Sequence, residues 1–336
     1  MRVAFTLEQC WHDVPGGTAV ATLALARALL ARGDVELIGV AGRHRRPPAP
    51  AFVPPVAVRR LALARPWLYE TWNRFGWPSV ERATGPIDVC HSTTAIPAAT
   101  RAPHVVTVHD VAFVHTPERF SAHGARVMRA GLDRCRAADV IACPSRTTAD
   151  DLAALGFAGE RVRVIPWGVE PHPTTPEDRA RVRAAYGLPE RFVLFVGTVE
   201  PRKNLARLAA AVTHLRPHLP LVVAGAPGWG TAAPDTPGVR FLGFVPDADL
   251  AALYAAASVV AYPSLQEGFG LPVLEAMSHG APVVTSAGGA TAEVAGDAAV
   301  LVDPHSPESI ADGLSQALAR ADELRDRGRA RAAEYT

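Results

Sequence analysis

Short apolar runs alternate with amphipathic stretches of helical period along almost the whole chain, and the runs form two series. The first series predicts strands at 3–7, 35–41, 89–92, 105–108, 140–144 and 162–166, with helices over 18–31, 126–138 and 147–155. The second predicts strands at 192–196, 221–224, 239–242, 258–262, 282–285 and 299–302. Short apolar strands that alternate with helices are typical of parallel sheets covered on both faces.

The two series predict an α/β protein made of two doubly wound domains. A stretch rich in Pro and Thr, 171–176, separates them, so we expect an N-terminal domain over 1–170 and a C-terminal domain over 171–336. Each is long enough to bury a core of its own. Because ligands of such sheets bind at the carboxyl ends of the strands, candidate site residues should follow the strands directly.

Composition narrows the class of protein. A formal net charge of +1 gives no reason to expect a nucleic-acid partner. The chain begins without a hydrophobic stretch of signal-peptide length, and no run approaches the roughly 18 apolar residues of a membrane-spanning helix. The 4 cysteines have no metal-like spacing. We therefore expect a cytoplasmic protein with free thiols.

The most informative stretch is Glu267-Gly-Phe-Gly-Leu-Pro-Val-Leu-Glu275. It follows a predicted strand, its two glycines predict a tight loop, and Pro272 suits the first turn of a helix. Such a joint presents backbone amides and the positive end of a helix dipole, which favours a phosphate. The two carboxylates could hold hydroxyl-rich groups on either side, whereas either one alone could be an ordinary helix-dipole residue.

A second feature is Lys203, the only lysine among 34 basic residues. It follows Arg202 after the strand predicted at 192–196. A guanidinium fork beside a compact ammonium suits a diphosphate, and the alternative is a solvated loop pair. Because a loop at a strand end carries little packing, we expect a substitution of Lys203 to leave the fold intact.

These motifs resemble those of the retaining family-4 glycosyltransferases, of the group 1 and mannosyltransferase-like type. The resemblance rests on the nine residues from Glu267 to Glu275, on Gly197-Thr-Val-Glu-Pro-Arg-Lys-Asn204, and on the order of the motifs between 192 and 303. In the first half, Pro15-Gly-Gly17 and Thr107-Val-His-Asp110 match in position and type. The resemblance implies a GT-B architecture, in which two Rossmann-like domains face a cleft.

The resemblance also implies a role for each site residue. Glu267 would contact the donor sugar and support an oxocarbenium-like state, and Glu275 would bind the ribose hydroxyls. The nucleotide base would lie against Phe244 and Val245. The residues implied for the donor diphosphate are Gly17, Arg202, Lys203, Gly268, Phe269, Gly270 and Leu271. No Asp-x-Asp motif suits a metal, so the two side-chain cations would replace a divalent ion, and no cofactor is expected besides the nucleotide-sugar donor.

His109 is the second candidate catalytic residue. It follows the strand predicted at 105–108, so its imidazole should lie at the carboxyl end of that strand. Taken alone, such a histidine is more often a packed, hydrogen-bonded residue, but the resemblance implies contact with the donor sugar. Asp110 either orients the ring or caps the following turn.

The segment 43–77 departs from the regular alternation, with seven arginines, one acidic residue and three of the 6 tryptophans. It is either a helix docked on its own domain or a surface for an anionic membrane or a lipid-linked acceptor. The second alternative would place the protein at the inner face of the membrane.

We therefore expect a metal-independent hexosyltransferase that retains anomeric configuration. The preferred donor is GDP-mannose, and the acceptor is a glycan, a lipid-linked or a small molecule. Two alternatives stay open, a transferase that uses a UDP- or dTDP-sugar and a nucleotide-sugar-binding protein without turnover. One departure from the family concerns the predicted helix that begins near Ser306, whose charged continuation stops at 336. The usual crossing helix is either short or incomplete here.

Overall fold

The computed structural model describes residues 1–12, 15–157, 159–170, 172–226 and 238–335. The chain divides into two compact units, Met1–Ile165 and Pro166–Thr336. The predicted boundary between 170 and 171 lies close to this division, and Pro171, where the predicted linker begins, is outside the described residues. Val169 donates its N–H to the carbonyl oxygen of Tyr335 over 3.0 Å, so the chain just after the division packs with the second unit.

The described part of the first unit contains a seven-stranded parallel sheet with the order β3-β2-β1-β4-β5-β6-β7. Its strands are β1 (Arg2–Thr6), β2 (Glu36–Ala41), β3 (Val58–Arg60), β4 (Val89–Ser92), β5 (His104–Thr107), β6 (Val140–Cys143) and β7 (Val162–Val164). Its helices are α1 (Gly16–Arg32), α2 (Trp67–Phe75), α3 (Glu81–Thr84), α4 (Ala112–His115), α5 (Ala122–Cys135) and α6 (Arg146–Ala154).

The described part of the second unit contains a six-stranded parallel sheet with the order β10-β9-β8-β11-β12-β13. The strands are β8 (Val193–Val196), β9 (Leu221–Ala224), β10 (Val239–Gly243), β11 (Val259–Tyr262), β12 (Val283–Ser286) and β13 (Val300–Val302). The helices are α7 (Pro176–Ala185), α8 (Leu205–Thr213), α9 (Asp247–Ala256), α10 (Leu271–Ser278), α11 (Gly289–Ala295), α12 (Pro307–Ala319) and α13 (Ala321–Ala332). The two sheets confirm the predicted pair of doubly wound folds.

In each sheet, successive strands are added first on one side of the first strand and then on its other side. The switch between the two sides falls between β1 and β4 in the first unit and between β8 and β11 in the second. A ligand of a doubly wound sheet binds at this switch point, outside the carboxyl ends of the strands. In the second unit, β8 leads to Arg202 and Lys203, and β11 leads to Glu267. The topology therefore brings the two predicted motifs to the same point of one sheet.

The segment 43–77 contains the short strand β3, which the sequence did not predict, and the helix α2. Helix α2 buries Leu68, Tyr69 and Trp72 against its own unit. This packing confirms the docked-helix alternative for one face of α2. The expected long C-terminal helix is divided at Arg320 into α12 and α13. Among the described residues, no helix is both long enough and apolar enough to cross a membrane.

Candidate functional site

The loop between β11 and α10 takes its shape from Gly270. This residue has a φ of 105°, in the region that favours glycine, and a Cβ placed on it would lie 2.9 Å from Cγ2 of Thr291. Helix α10 starts at the next residue, with Pro272 in its first turn as predicted. The first amides of a helix have no partner within it, so this joint has the geometry expected of an anion site.

The turn after β8 is fixed by Asn204, which has a left-handed φ of 62°. Its side-chain amide donates to the carbonyl oxygens of Pro263, at 2.9 Å, and Pro304, at 2.6 Å. Asn204 therefore ties the turn that carries Arg202 and Lys203 to the end of β11.

The two cations of this turn contact the same carboxylate. Nζ of Lys203 lies 2.7 Å from Oε1 of Glu267, and Nη1 of Arg202 lies 2.9 Å from Oε2. Nε of Arg202 also lies 2.7 Å from Oε1 of Glu200, and Lys203 donates a short hydrogen bond to the hydroxyl of Tyr262. The structure thus brings together three predicted site residues in one ion cluster.

Most of this ion cluster is buried. Lys203 is 7% exposed, and the side chain of Glu267 is 9% exposed. The alternative of a solvated loop pair is therefore excluded for Lys203. The expectation that Lys203 carries little packing is also wrong, because its ammonium lies between a buried carboxylate and the buried ring of Tyr262.

The cluster keeps Glu267 ionised. Burial by itself would raise the pKa of this carboxyl group, but the adjacent cations of Arg202 and Lys203 outweigh burial and lower the pKa to about 2. Both carboxylate oxygens accept charge-assisted hydrogen bonds. Glu267 is therefore a fixed negative charge at neutral pH and lacks a proton to donate.

Glu275 lies one turn into α10 and has a different environment. The hydroxyl of Tyr254, from α9, donates to its Oε2 over 2.8 Å. Burial raises the pKa of Glu275, and no cation among the described residues compensates for it as Arg202 and Lys203 do for Glu267. The ring of Tyr254 is itself buried, so this hydrogen bond fixes the position of the carboxylate.

The other predicted donor residues of the second unit differ in exposure. The side chain of Phe269 is buried and packs 5.4 Å from the ring of Trp167, so only its backbone is available to a diphosphate. Phe244, directly after β10, is exposed, whereas Val245 is buried in the core. Phe244 is thus the member of that pair whose side chain a nucleotide base could contact.

In the first unit, His109 lies just beyond β5, as predicted. Nε2–H of its ring donates to the carbonyl oxygen of Thr93 over 2.8 Å. Burial lowers the pKa of His109, so the imidazole is neutral at pH 7. Asp110 accepts a hydrogen bond from the N–H of Ala112 over 3.0 Å, which confirms the alternative that Asp110 caps the following turn.

A buried polar network connects the ends of β1 and β4. Nε2 of Gln9 donates to Oγ1 of Thr22, at 2.7 Å, and to Oγ1 of Thr93, at 2.6 Å. Thr22 belongs to α1, whose first turn contains Gly17. A Cβ on Gly17 would meet no atom of the described residues within 4 Å. His109, which bonds to the carbonyl oxygen of Thr93, thereby adjoins this network, and Gly17 belongs to the helix that Thr22 connects to it.

Sequence reasoning missed several residues of these sites: Gln9, Thr93, Glu200, Tyr254 and Tyr262. Glu200 falls inside the motif from Gly197 to Asn204 but was given no role, Tyr254 lies within the stretch 192–303 whose motif order was used, and Tyr262 is the last residue of a strand. Their roles depend on which side chains meet across neighbouring strands and helices, which the local pattern does not specify. His91 and His104, which the sequence left without a role, bond to the hydroxyls of Thr107 and Ser92.

Comparisons with known proteins agree with the fold and the motifs. The family model described as Glycosyl transferases group 1 matches residues 178–335, and that described as Glycosyltransferase Family 4 matches residues 15–172. The O-antigen chain mannosyltransferase B of Escherichia coli is 34% identical over 64% of this chain and 61% of its own length. The chain thus spans less than two thirds of that relative.

Two further matches cover more of both chains. A D-inositol 3-phosphate glycosyltransferase of Acidothermus cellulolyticus is 33% identical over 90% of this chain and 78% of its own length. The Anabaena protein HepE, solved in complex with UDP and glucose, has a TM-score of 0.76 and 20% identity, with 100% of this chain and 95% of that chain covered. The chain therefore belongs to the group 1 glycosyltransferases of family 4 and has their GT-B fold.

Proposed function

We propose that this chain transfers a hexose from a nucleotide sugar to a hydroxyl group of a glycan, lipid-linked or small-molecule acceptor, with retention of anomeric configuration. The observation that carries the proposal is the ion cluster of Arg202, Lys203 and Glu267 at the switch point of the second sheet. It combines cations for a leaving diphosphate with a carboxylate for a sugar that becomes positively charged.

The leaving group is the first requirement of this chemistry. Negative charge grows on the diphosphate as its bond to the sugar breaks. Arg202, Lys203 and the backbone amides at the start of α10 would stabilise that charge, and their mutual contacts fix them in place beforehand. Side-chain cations in this role replace a divalent metal ion.

Glu267 meets the second requirement. Its lowered pKa keeps it negative, so it stabilises an oxocarbenium-like sugar electrostatically. Both oxygens are bonded to cations, which lowers their nucleophilicity. This arrangement supports an electrostatic role for Glu267 over formation of a covalent bond to the sugar.

The nucleoside would be held by Glu275 and Phe244. A ribose has two hydroxyl donors, and a carboxylate can accept several hydrogen bonds besides the one from Tyr254. Those hydroxyls would also favour the ionised form of Glu275, which burial disfavours. The exposed ring of Phe244 would lie against the base.

His109 is the residue that we propose for the reaction from the first unit. As a neutral imidazole whose Nε2–H donates to Thr93, it has a fixed ring position and tautomer. It would align the donor sugar or stabilise its developing charge.

For the donor, we prefer GDP-mannose, which the similarity to a mannosyltransferase supports. A UDP-hexose is the alternative, favoured by the complex of HepE with UDP and glucose. Incubation of the purified protein with GDP-mannose, UDP-glucose and a dTDP-hexose, with detection of released nucleoside diphosphate, tests both. We expect the wild type to release nucleoside diphosphate from GDP-mannose and the Glu267→Gln variant to be inactive. Binding of a nucleotide sugar with neither release of nucleoside diphosphate from any donor nor transfer of sugar to any acceptor would indicate a binding protein instead.

We also propose that segment 43–77 contacts an anionic membrane surface at the cytoplasmic face. Three large aromatic side chains there face solvent: Trp67 is 69% exposed, Phe75 75% and Trp77 46%. Aromatic residues beside arginines suit a lipid interface. Co-sedimentation with phosphatidylglycerol vesicles should be reduced in Trp67→Ser and Phe75→Ser, and should be unaffected by Phe241→Ser, an exposed phenylalanine of the second unit. Equal binding by all variants would contradict this proposal.

A further inference from the structure

A basic pocket of about 480 Å³ lies in the second unit at the carboxyl end of α10, the end away from the Glu267 loop. Its lining residues are Thr174, Arg179, Ala255, His279, Gly280, Arg325 and Arg329. The arginines come from two helices, α7 and α13, and none of the described lining residues carries a carboxylate. The pocket is therefore positively charged, and none of its lining residues belongs to the proposed donor site.

Among the described residues, the two arginines of α13 that line the pocket have only weak ion pairs to neutralise them. Nη1 of Arg325 lies 2.8 Å from Asp322, and Nη1 of Arg329 lies 3.6 Å from Asp326, but both aspartates are almost fully exposed. Exposed pairs of this kind contribute little, because water screens them. Arg329 also lies against Gly280, where a Cβ would be 2.5 Å from Nη2. A glycine at 280 thus lets the guanidinium line the pocket.

Among the described residues, His279 contributes a buried polar atom that lacks a hydrogen-bond partner. Nδ1–H of its ring donates to the carbonyl oxygen of Glu275 over 2.8 Å, which leaves Nε2 without a proton in the neutral form. Nε2 is buried and has no hydrogen-bond partner among the described residues. Its ring stacks on Tyr254 at 5.7 Å, so its orientation is fixed. A buried polar group of this kind requires an explanation, and a bound ligand is one.

We propose that this pocket binds the phosphate group of a small phosphate ester. Guanidinium groups match the oxygens of a phosphate dianion in geometry and charge, and three of them converge here. A protonated His279 would donate a further hydrogen bond from Nε2. The volume of about 480 Å³ exceeds that of a single phosphate and leaves space for the organic part of an ester.

Sulfate is a suitable first probe, because it keeps its double charge across the pH range of interest. Calorimetric titration of the full chain should show sulfate binding, weakened roughly 10-fold or more in Arg325→Gln/Arg329→Gln. Arg327→Gln is the matched control: Arg327 lies on the same helix but pairs with Glu323, at 3.2 Å, and Asp297, at 3.6 Å, outside the lining. Equal affinities of the double variant and the control would overturn the proposal.

The donor site is a second place where sulfate could bind, so the titration is repeated with a saturating nucleoside diphosphate, GDP or UDP. Binding that persists and still depends on Arg325 and Arg329 supports the pocket. Binding that disappears when the nucleotide is present would assign the sulfate to the donor site and overturn the proposal.

The pH dependence tests the contribution of His279. Burial lowers the pKa of this imidazole in the empty pocket, and a bound dianion should raise it. The charged and titratable groups that face it are Tyr254, His172, Glu275, Arg179, Arg325 and Arg329. Sulfate affinity should increase as the pH falls from about 8 to 5.5 in the wild type but not in His279→Gln. The same increase in both proteins would contradict the site.

Two sources could supply the phosphate group, a soluble ester or a lipid headgroup. A hexose phosphate measured by calorimetry represents the first, and vesicles of phosphatidylcholine with phosphatidic acid represent the second. Binding that requires Arg325 and Arg329 in either assay supports the pocket and identifies the source. Its absence from both would overturn the assignment to phosphate.

Discussion

Replacement of Lys203 by methionine removes one cation from the buried ion cluster while it keeps a side chain of similar length. The ammonium contributes a 2.7 Å contact to Glu267 and a hydrogen bond to Tyr262. Loss of one partner of a buried ion pair is strongly destabilising, because the remaining charge loses its compensation. We therefore expect Lys203→Met to destabilise the second unit as well as to abolish transfer.

The pKa of Glu267 provides the magnitude. A value of about 2, against an ordinary value of 4.5, corresponds to a net of about 3 kcal/mol in favour of the ionised form, after the opposing effect of burial and with Arg202 and Lys203 as the main favourable contributions. Arg202 stays in place after the substitution, so Lys203 accounts for part of this amount. Burial also lowers the pKa of Lys203, so its removal recovers some desolvation free energy. A net loss of about 1–3 kcal/mol follows.

A double-mutant cycle with Glu267→Gln separates this pairing from simple packing. Hydrogen exchange of peptides that contain β8 and β11, followed in mild urea, reports the stability of the second unit alone. Lys203→Met should reduce the free energy of unfolding of the second unit by about 2 kcal/mol in the wild type and by close to nothing in the Glu267→Gln background. The exposed pair Arg320–Glu323 is the control and should show little coupling. Equal losses from Lys203→Met in both backgrounds would refute the reasoning.

Three further predictions concern single residues. Glu275→Gln should weaken the affinity for a nucleoside diphosphate by about 1–3 kcal/mol, because the charged acceptor is lost while the hydroxyl of Tyr254 holds the amide in place, and unchanged calorimetric affinity would exclude the ribose assignment. His109→Ala should lower kcat roughly 100-fold with little change in KM for the donor, whereas a raised KM at unchanged kcat would make it a binding or packing residue. The folded pKa of Glu267 lies below its ordinary value, so its contribution to stability is complete above about pH 4.5 and is lost as the pH falls toward 2. Urea denaturation in that pH interval should therefore show a smaller decrease in the free energy of unfolding for Glu267→Gln than for the wild type. Equal decreases in the two proteins would contradict the pairing.

The elements that the sequence predicted well are those whose residues are buried on both faces. Strand β9, for example, has the predicted bounds, because all of its residues are apolar and buried. Strand β3 was missed, since it is a short edge strand that ends in two exposed arginines. The division between α12 and α13 falls at Arg320, where neither proline nor glycine marks it. A sequence pattern specifies elements that form a core, but it does not specify edges and helix ends that tertiary contacts decide.

The candidate site shows the same limit at the level of side chains. The sequence placed Lys203 and Glu267 near a diphosphate, because their strands end at the same edge of one sheet. It did not predict that these side chains contact each other or that Glu200 compensates Arg202 at 2.7 Å. Such contacts depend on distances between loops far apart in sequence. The sequence therefore predicted that these residues lie at one place, whereas the structure was needed to describe their electrostatics.

The pairing also bears on what the ion cluster is suited to do. Arg202, Lys203, Glu200 and Glu267 sum to zero formal charge, so the chain can bury them without an uncompensated ion. In the proposed reaction, a bound diphosphate would meet oriented donors and the positive end of α10, without a net positive charge. The attraction would grow as negative charge accumulates on the leaving group, when the sugar bond breaks. We therefore expect the cluster to stabilise the transition state more than the bound nucleotide, which is the property required of a catalytic site.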